Sequence, residues 1–227
     1  HSMLSERGAA GRPLRVALVG AGKFGTMFLA QASRTPGIHV VGVADLAPDR
    51  ARAALATAGF AADHTVARTA AEAGRRGTTF VTEDAEALIE AAEVEIVVDA
   101  TGSPAVGVNL ALACARNGKH VVMVNVEADA LCGPFLARRC REAGVVYSLA
   151  YGDQPALICE LVDWARACGL PVVAAGKGTK YLPRYHRSTP DTVWQDYGIA
   201  PEDAARGGLS ARMFNSFLDG TKSAIEM

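Results

Sequence analysis

Three glycines carry the first chemistry legible in this chain: Gly20, Gly22 and Gly25, spaced G-x-G-x-x-G with Lys23 and Phe24 between the last two. In such a turn the first glycine permits a sharp reversal and the second lets backbone approach a pyrophosphate. The third lets strand and helix pack closely. Free N–H groups and the positive end of the following helix hold the anion, so Lys23 and Phe24 are expected at the cofactor with the glycines. Asp45 lies twenty residues beyond Gly25, where a carboxylate is expected to meet the ribose of a bound dinucleotide. That acid favours the free 2′-hydroxyl of NAD and repels the 2′-phosphate of NADP, whereas Arg50 and Arg52 would bind the phosphate. The alternative is a glycine turn that binds nothing.

Further candidates lie downstream. Thr101-Gly102-Ser103-Pro104 and Asn125-Val126-Glu127 each follow an apolar run. Both should converge on the nicotinamide, with Thr101, Gly102 and Asn125 at the cofactor. Glu127 and Asp153 are carboxylates that would move protons, hold a metal or cap helices. Lys177, Lys180, Arg184, His186 and Arg187 crowd one stretch beside Thr179, Ser188 and Thr189. Cations mixed with hydroxyls suit the grip on a phosphate or carboxylate, although a solvated basic loop has the same composition. Asn215, Asp219 and Lys222 are spaced by four and three, which on a helix places them on one face.

These groups need a scaffold, and the pattern around them supplies one. Apolar runs at 14–19, 38–44, 79–82, 94–100, 120–125 and 145–149 read as strands. Helical spacing recurs at 23–34, 48–58, 83–92, 104–117 and 129–143. Regular alternation means a parallel sheet with helices on both faces. The expected class is α/β, a Rossmann doubly wound sheet over 13–150, followed at 151–227 by a connecting helix and strand and the start of an incomplete catalytic domain. Residues 1–12 read as a tag remnant and a loose leader. The stretch 61–77 reads as an inserted helix pair or an irregular excursion, with His64 exposed. Asp153 should cap a helix running to Cys168, Pro171-Val172-Val173-Ala174-Ala175-Gly176 reads as a strand, and 209–227 as helical.

Composition narrows the function classes. Half of the 227 residues are hydrophobic and 21% are charged, with a net charge of −1. That balance argues against generic nucleic-acid binding, which needs clustered positive charge. No apolar run reaches the roughly 18 to 20 residues of a membrane span. Five scattered cysteines without a C-x-x-C pair argue for reduced thiols in the cytoplasm, with Cys114, Cys140 and Cys159 as buried structural thiols.

The run Gly118-Lys119-His120-Val121-Val122-Met123-Val124-Asn125-Val126-Glu127-Ala128-Asp129 resembles the homoserine-dehydrogenase-like oxidoreductases. Ser188-Thr189-Pro190-Asp191-Thr192-Val193-Trp194 and the run from Met213 to Lys222 are similar to the deoxyxylulose-phosphate reductoisomerase-like branch. Members of that branch are longer and carry a SAF-type domain. The resemblance implies NADP as cofactor, with NAD as the alternative, and a divalent metal (Mg or Mn). It implies a small phosphorylated or carboxylated carbonyl substrate and a role in isoprenoid precursor synthesis. Lys177 or Lys180 would then polarise the carbonyl, and Asn215 and Lys222 would bind substrate oxygens. Glu127, Asp153 or Asp219 would hold the metal or move protons. A homo-oligomer is expected. Homoserine dehydrogenases usually place a lysine directly after the asparagine, where this chain has Val126. Reduction of aspartate semialdehyde and a non-catalytic dinucleotide-binding role stay open beside the first reading.

Overall fold

The computed structural model describes residues 2–151, 154–176 and 182–226. The chain divides into two compact units, 1–150 and 151–227. In the first unit the elements follow in the order α1 (Ser2–Ala9), β1 (Leu14–Val19), α2 (Lys23–Ala32), β2 (Ile38–Ala44), α3 (Pro48–Thr57), α4 (Ala70–Arg76), β3 (Phe80–Thr82), α5 (Ala85–Glu90), β4 (Ile96–Asp99), α6 (Pro104–Arg116), β5 (His120–Met123), α7 (Val126–Glu142) and β6 (Tyr147–Leu149).

All six strands are parallel, in the order β3-β2-β1-β4-β5-β6. This is the doubly wound, Rossmann-like sheet. Alternate side chains of β1 explain its two faces, because successive Cβ atoms point to opposite sides of a strand. Val16 and Leu18 pack with Leu29, Val43 and Leu55 beneath α2 and α3. Ala17 and Val19 pack with Val97, Ile89, Leu110 and Leu136 beneath α5, α6 and α7. Fully burying each such leucine or valine contributes about 1.5–3 kcal/mol. The buried ammonium of Lys119 donates to the carbonyls of Ala91 (2.7 Å) and Val94 (2.9 Å).

Several expectations need correction. Within the expected leader, Ser2–Ala9 form the helix α1, and Arg7 in its last turn pairs with Glu95 at 3.1 Å. The 61–77 insertion is a 3-10 turn (Ala62–Thr65) followed by α4, capped by the Thr69 hydroxyl at one end and by left-handed Gly77 at the other. His64 is half-buried, its ring 4.9 Å from Phe60 and its carbonyl accepting the N–H of Thr79. Helix α7 begins at Val126, ahead of 129, because Asn125 caps it by accepting the N–H of Ala128; the helix kinks at Cys132, two residues before Pro134.

The second unit contains α8 (Gln154–Ala167), a 3-10 turn at Pro183–Arg187, α9 (Val193–Tyr197), α10 (Pro201–Arg206), α11 (Ala211–Leu218) and α12 (Thr221–Glu226). Tyr185, Val193 and Ala204 are buried, and the Phe214 ring lies 5.2 Å from Trp194 and 5.1 Å from Tyr197. The strand expected at 171–176 does not form. Its β-branched residues find no ladder partner among the described residues, and Val173 is 96% exposed. Cys159 is exposed rather than buried, while Cys114 and Cys140 are buried. No helix among the described residues is long and apolar enough to cross a membrane.

Candidate functional site

Strand order reverses between β1 and β4, and in open α/β sheets ligands bind outside the carboxyl ends of the strands at that switch. The glycine turn leaves β1 there. Gly20 has φ +97°, and a Cβ on it would lie 2.6 Å from the Ala100 carbonyl oxygen. A Cβ on Gly25 would lie 2.4 Å from the Gly20 carbonyl oxygen, so bare backbone is what seats α2 against β1. Gly22 differs from both. It is the N-cap of α2 in extended backbone, and a Cβ on it would meet nothing within 4 Å. The space over the start of α2 is therefore open, and the helix brings to it N–H groups without intrahelical acceptors. No acidic residue stands in the first turn, where Lys23 and Phe24 are both exposed. These residues fit the diphosphate of a dinucleotide.

Beside the turn lies a cleft of about 160 Å³, lined among others by Gly20, Asp45, Arg50, Glu83, Thr101 and Ser103. The Asp45 side chain is 1% exposed. Its Oδ2 accepts the N–H of Ala21 at 2.8 Å, and its Oδ1 accepts the N–H of Ala47 at 2.8 Å. Arg50 donates Nη2 to Oδ1 at 2.6 Å and Nε to both oxygens at 3.1 and 3.2 Å. Burial works against the Asp45 charge, yet the N–H of Ala47, the Arg50 guanidinium and the N–H of Ala21 prevail and hold its carboxyl below the ordinary value. Arg52 instead donates to Asp49 at 3.0 Å.

The far wall rests on a polar network that sequence reasoning missed. Asp99, at the end of β4, is 1% exposed and accepts the N–H of Thr101 at 2.9 Å. Burial raises its pKa against the bonds from Thr101 and Asn125. Asn125, also buried, donates Nδ2 to the Ser103 carbonyl at 2.7 Å and lies 3.3 Å from the Thr101 hydroxyl. It thereby ties the loop after β4 to the start of α7. Through these bonds Asn125 braces Thr101 and Ser103, which line the cleft. A signal for Asp99 was present, an acid closing an apolar strand, but its partner stands 26 residues away. Glu127 is half-buried in the first turn of α7.

In the second unit, Asn215 and Asp219 meet: Nδ2 of Asn215 donates to Oδ2 of Asp219 at 3.0 Å. They do not share one helix with Lys222. Helix α11 stops at Leu218, Gly220 takes φ +84°, and Asp219 accepts the N–H of Thr221 at 2.9 Å to start α12, which carries Lys222. Arg184 of the basic stretch is held by Asp196 at 3.1 Å. Asp153, Lys177 and Lys180 lie outside the described residues. Among the described residues no three His, Cys, Asp or Glu side chains gather as a metal site.

The fold and this site define an NAD(P)-binding protein of oxidoreductase type. Residues 20–145, more than half of the chain, match the family model for the homoserine dehydrogenase NAD-binding domain, and the chain belongs to that family. Residues 152–227 match the model for the catalytic domain of oxidoreductase DRL. No curated protein matches the chain significantly. Among solved structures, a homoserine dehydrogenase from Thiobacillus denitrificans is 19% identical with a TM-score of 0.59, covering 94% of this chain and 47% of that one. An NAD-binding oxidoreductase from Klebsiella pneumoniae is 21% identical with a TM-score of 0.48, covering 69% of this chain and 39% of that one. The WlbA dehydrogenase from Bordetella pertussis, in complex with NADH and UDP-GlcNAcA, is 20% identical with a TM-score of 0.45, covering 68% and 44%. The chain thus spans about two fifths to one half of the length of these structures.

Proposed function

We propose that this chain is the dinucleotide-binding part, with the beginning of the substrate part, of an NAD(P)H-dependent oxidoreductase that reduces the carbonyl of a small phosphorylated or carboxylated substrate. The observation that carries this is the open cradle above Gly22, between a glycine turn and the Asp45–Arg50 cleft at the strand-order switch. A bound reduced nicotinamide supplies a hydride. The chain's own groups bind and orient: the start of α2 takes the diphosphate, and the 101–103 loop, braced by Asp99 and Asn125, sets the wall along the cofactor. Carbonyl polarisation is assigned to Lys177 or Lys180, which would support the oxygen charge that develops in the transition state. Asn215 and Lys222 are assigned to substrate oxygens, and Glu127, Asp153 or Asp219 to the proton.

Within that class the first substrate proposed is 1-deoxy-D-xylulose 5-phosphate, reduced and rearranged with NADPH and Mg or Mn, on the resemblance of the runs 188–194 and 213–222. The second reading is reduction of aspartate semialdehyde, favoured by the match of residues 20–145 and opposed by Val126. The test follows nicotinamide absorbance with the full-length protein, each substrate in its own cuvette, with and without the metal. Metal-dependent oxidation with the sugar phosphate alone supports the first reading. Activity only on the semialdehyde replaces it with the second. Silence on both, with dinucleotide still bound, leaves a binding protein.

A further inference from the structure

A second cleft, of about 800 Å³, opens at the amino ends of β1 and β2, opposite the ends that lead to Gly20 and Asp45. It lies within the first unit, between the end of α2, the residues after α3, the 3-10 turn and the end of α4. Sites for small organic ligands have this size, about 300–1,000 Å³. Four residues able to carry positive charge line it, His39, His64, Arg75 and Arg76, and among the described residues no Asp or Glu does. Pro36, Ile38 and Phe60 give it apolar wall, and the Phe60 and His64 rings lie 4.9 Å apart. The nearby acids stand outside the lining: Asp63 adjoins His64, Glu72 pairs with Arg76 at 2.7 Å, and the Glu93 side chain stands beside Gly74. Nε2 of His39 donates to the Thr78 carbonyl at 2.7 Å. Arg75 is exposed and has no hydrogen-bond or ion-pair partner among the described residues, and neither does the His64 ring have a hydrogen bond there.

We infer that this cleft binds a small organic anion, a carboxylate or phosphate joined to a planar or apolar body. Arg75 takes the oxyanion, because a guanidinium offers a planar fork of donors that meets such a group bidentately. Phe60 and His64 take the body with their rings. Basic residues in a last turn answer the negative end of a helix, which accounts for Arg75 and Arg76 on α4 taken alone. It does not bring His39, from β2, and His64, from the 3-10 turn, to the same cleft. None of the residues at the glycine turn takes part, so the site stands whether or not a dinucleotide binds. Burial, and then His39, hold the His64 imidazole below its ordinary value of 6.5 against the pull of Asp63. An anion in the cleft favours the charged ring, so binding and protonation reinforce each other and affinity rises as pH falls.

The test titrates the chain with benzoate and with phenyl phosphate, read by the NMR signals of the histidine rings, with sulfate as an oxyanion that lacks a body. The variants are Arg75→Gln, His64→Asn and, as a control of equal charge change, Arg34→Gln, an exposed arginine that does not line the cleft. Melting curves of the same samples confirm folding. At least one organic anion should saturate, move the His64 signal and bind more tightly than sulfate; the tighter of the two names the head group. Arg75→Gln should weaken it by about tenfold, the usual worth of a charge-assisted contact, and Arg34→Gln should not. Benzoate stays ionised between pH 8 and pH 6, so its tightening over that range reports the imidazoles and should be lost in His64→Asn. No saturable binding of either organic anion at tens of millimolar, or sulfate binding equally well, overturns the inference. So does a loss that follows Arg34 rather than Arg75, an affinity indifferent to pH, or displacement of the anion by NADH.

Discussion

Gly22 and Gly25 stand three residues apart in the same turn, yet the structure assigns them opposite sensitivities. Consider Gly25→Ala. The new methyl would lie 2.4 Å from the Gly20 carbonyl oxygen and 3.3 Å from Leu18 Cδ2. Backbone cannot rotate away as a side chain can, so α2 must move off β1. Overpacking of this kind costs about 1–3 kcal/mol, which at ~2–4 °C per kcal/mol for a unit of this size is a fall of roughly 2–12 °C in Tm. Now consider Gly22→Ser. The position is extended, with φ −76°, a Cβ meets nothing within 4 Å, and serine is a preferred N-cap. The fold should be as stable as before or slightly more so. The added side chain, however, stands where the diphosphate must approach. Loss of one or two charge-assisted contacts of about 1.5–3 kcal/mol each would weaken NADH at least tenfold. Melting followed by circular dichroism, with NADH fluorescence titration on the same samples, separates the effects. Gly22→Ser protein that melts like wild type and binds NADH normally would refute the reasoning, because the open cradle would then not be the phosphate site.

Other perturbations follow from the same geometry. The depressed pKa of Asp45 contributes stability that is present above the ordinary value of 3.8 and lost as pH falls through the folded-state value; Asp45→Asn should flatten the acid limb of a Tm-against-pH curve. Asp99→Ala removes the acceptor for the Thr101 N–H and should cost about 1–3 kcal/mol by urea denaturation. Asp99→Asn, which keeps an acceptor and sheds a buried charge, should be near neutral at pH 7. Burial pushes the Cys114 thiol up to about 12, so iodoacetamide at pH 8, read by mass spectrometry, should label the exposed Cys159 and Cys168 first and reach Cys114 only on unfolding.

Much of the first unit was legible because its signals are local. The runs 14–19 and 38–44 are apolar but for Arg15 and His39 near their starts, as nearly continuous as buried parallel strands tend to be, and they are β1 and β2 residue for residue. The four later strands fall within the segments read for them, each shorter by one to three residues at one end or both. The segment 171–176 misled because strand propensity says nothing about whether a neighbouring edge is on hand. Helix α1 went unread because its serine, glycine and arginine residues carry no apolar period; only the distant Glu95 shows what holds Arg7. At the site the glycines and Asp45 were readable from spacing. The engagement of Asp45 by Arg50 and two backbone N–H groups was not, since that depends on how the loop after β2 folds back. Asp99 and Asn125 were opaque as a pair because 26 residues of chain separate them, and only the parallel pairing of β4 with β5 brings them together. The break at Asp219-Gly220 turned an expected single helix face into two short helices.

The proposed function requires a dinucleotide to lie across the switch between β1 and β4. The most direct measurement is a crystal structure of this chain grown with NADH. The diphosphate should lie over Gly22 at the start of α2, with the adenosine ribose beside the Asp45–Arg50 pair and the 101–103 loop along the cofactor. A dinucleotide bound elsewhere on the chain, or no binding at millimolar NADH, would contradict it.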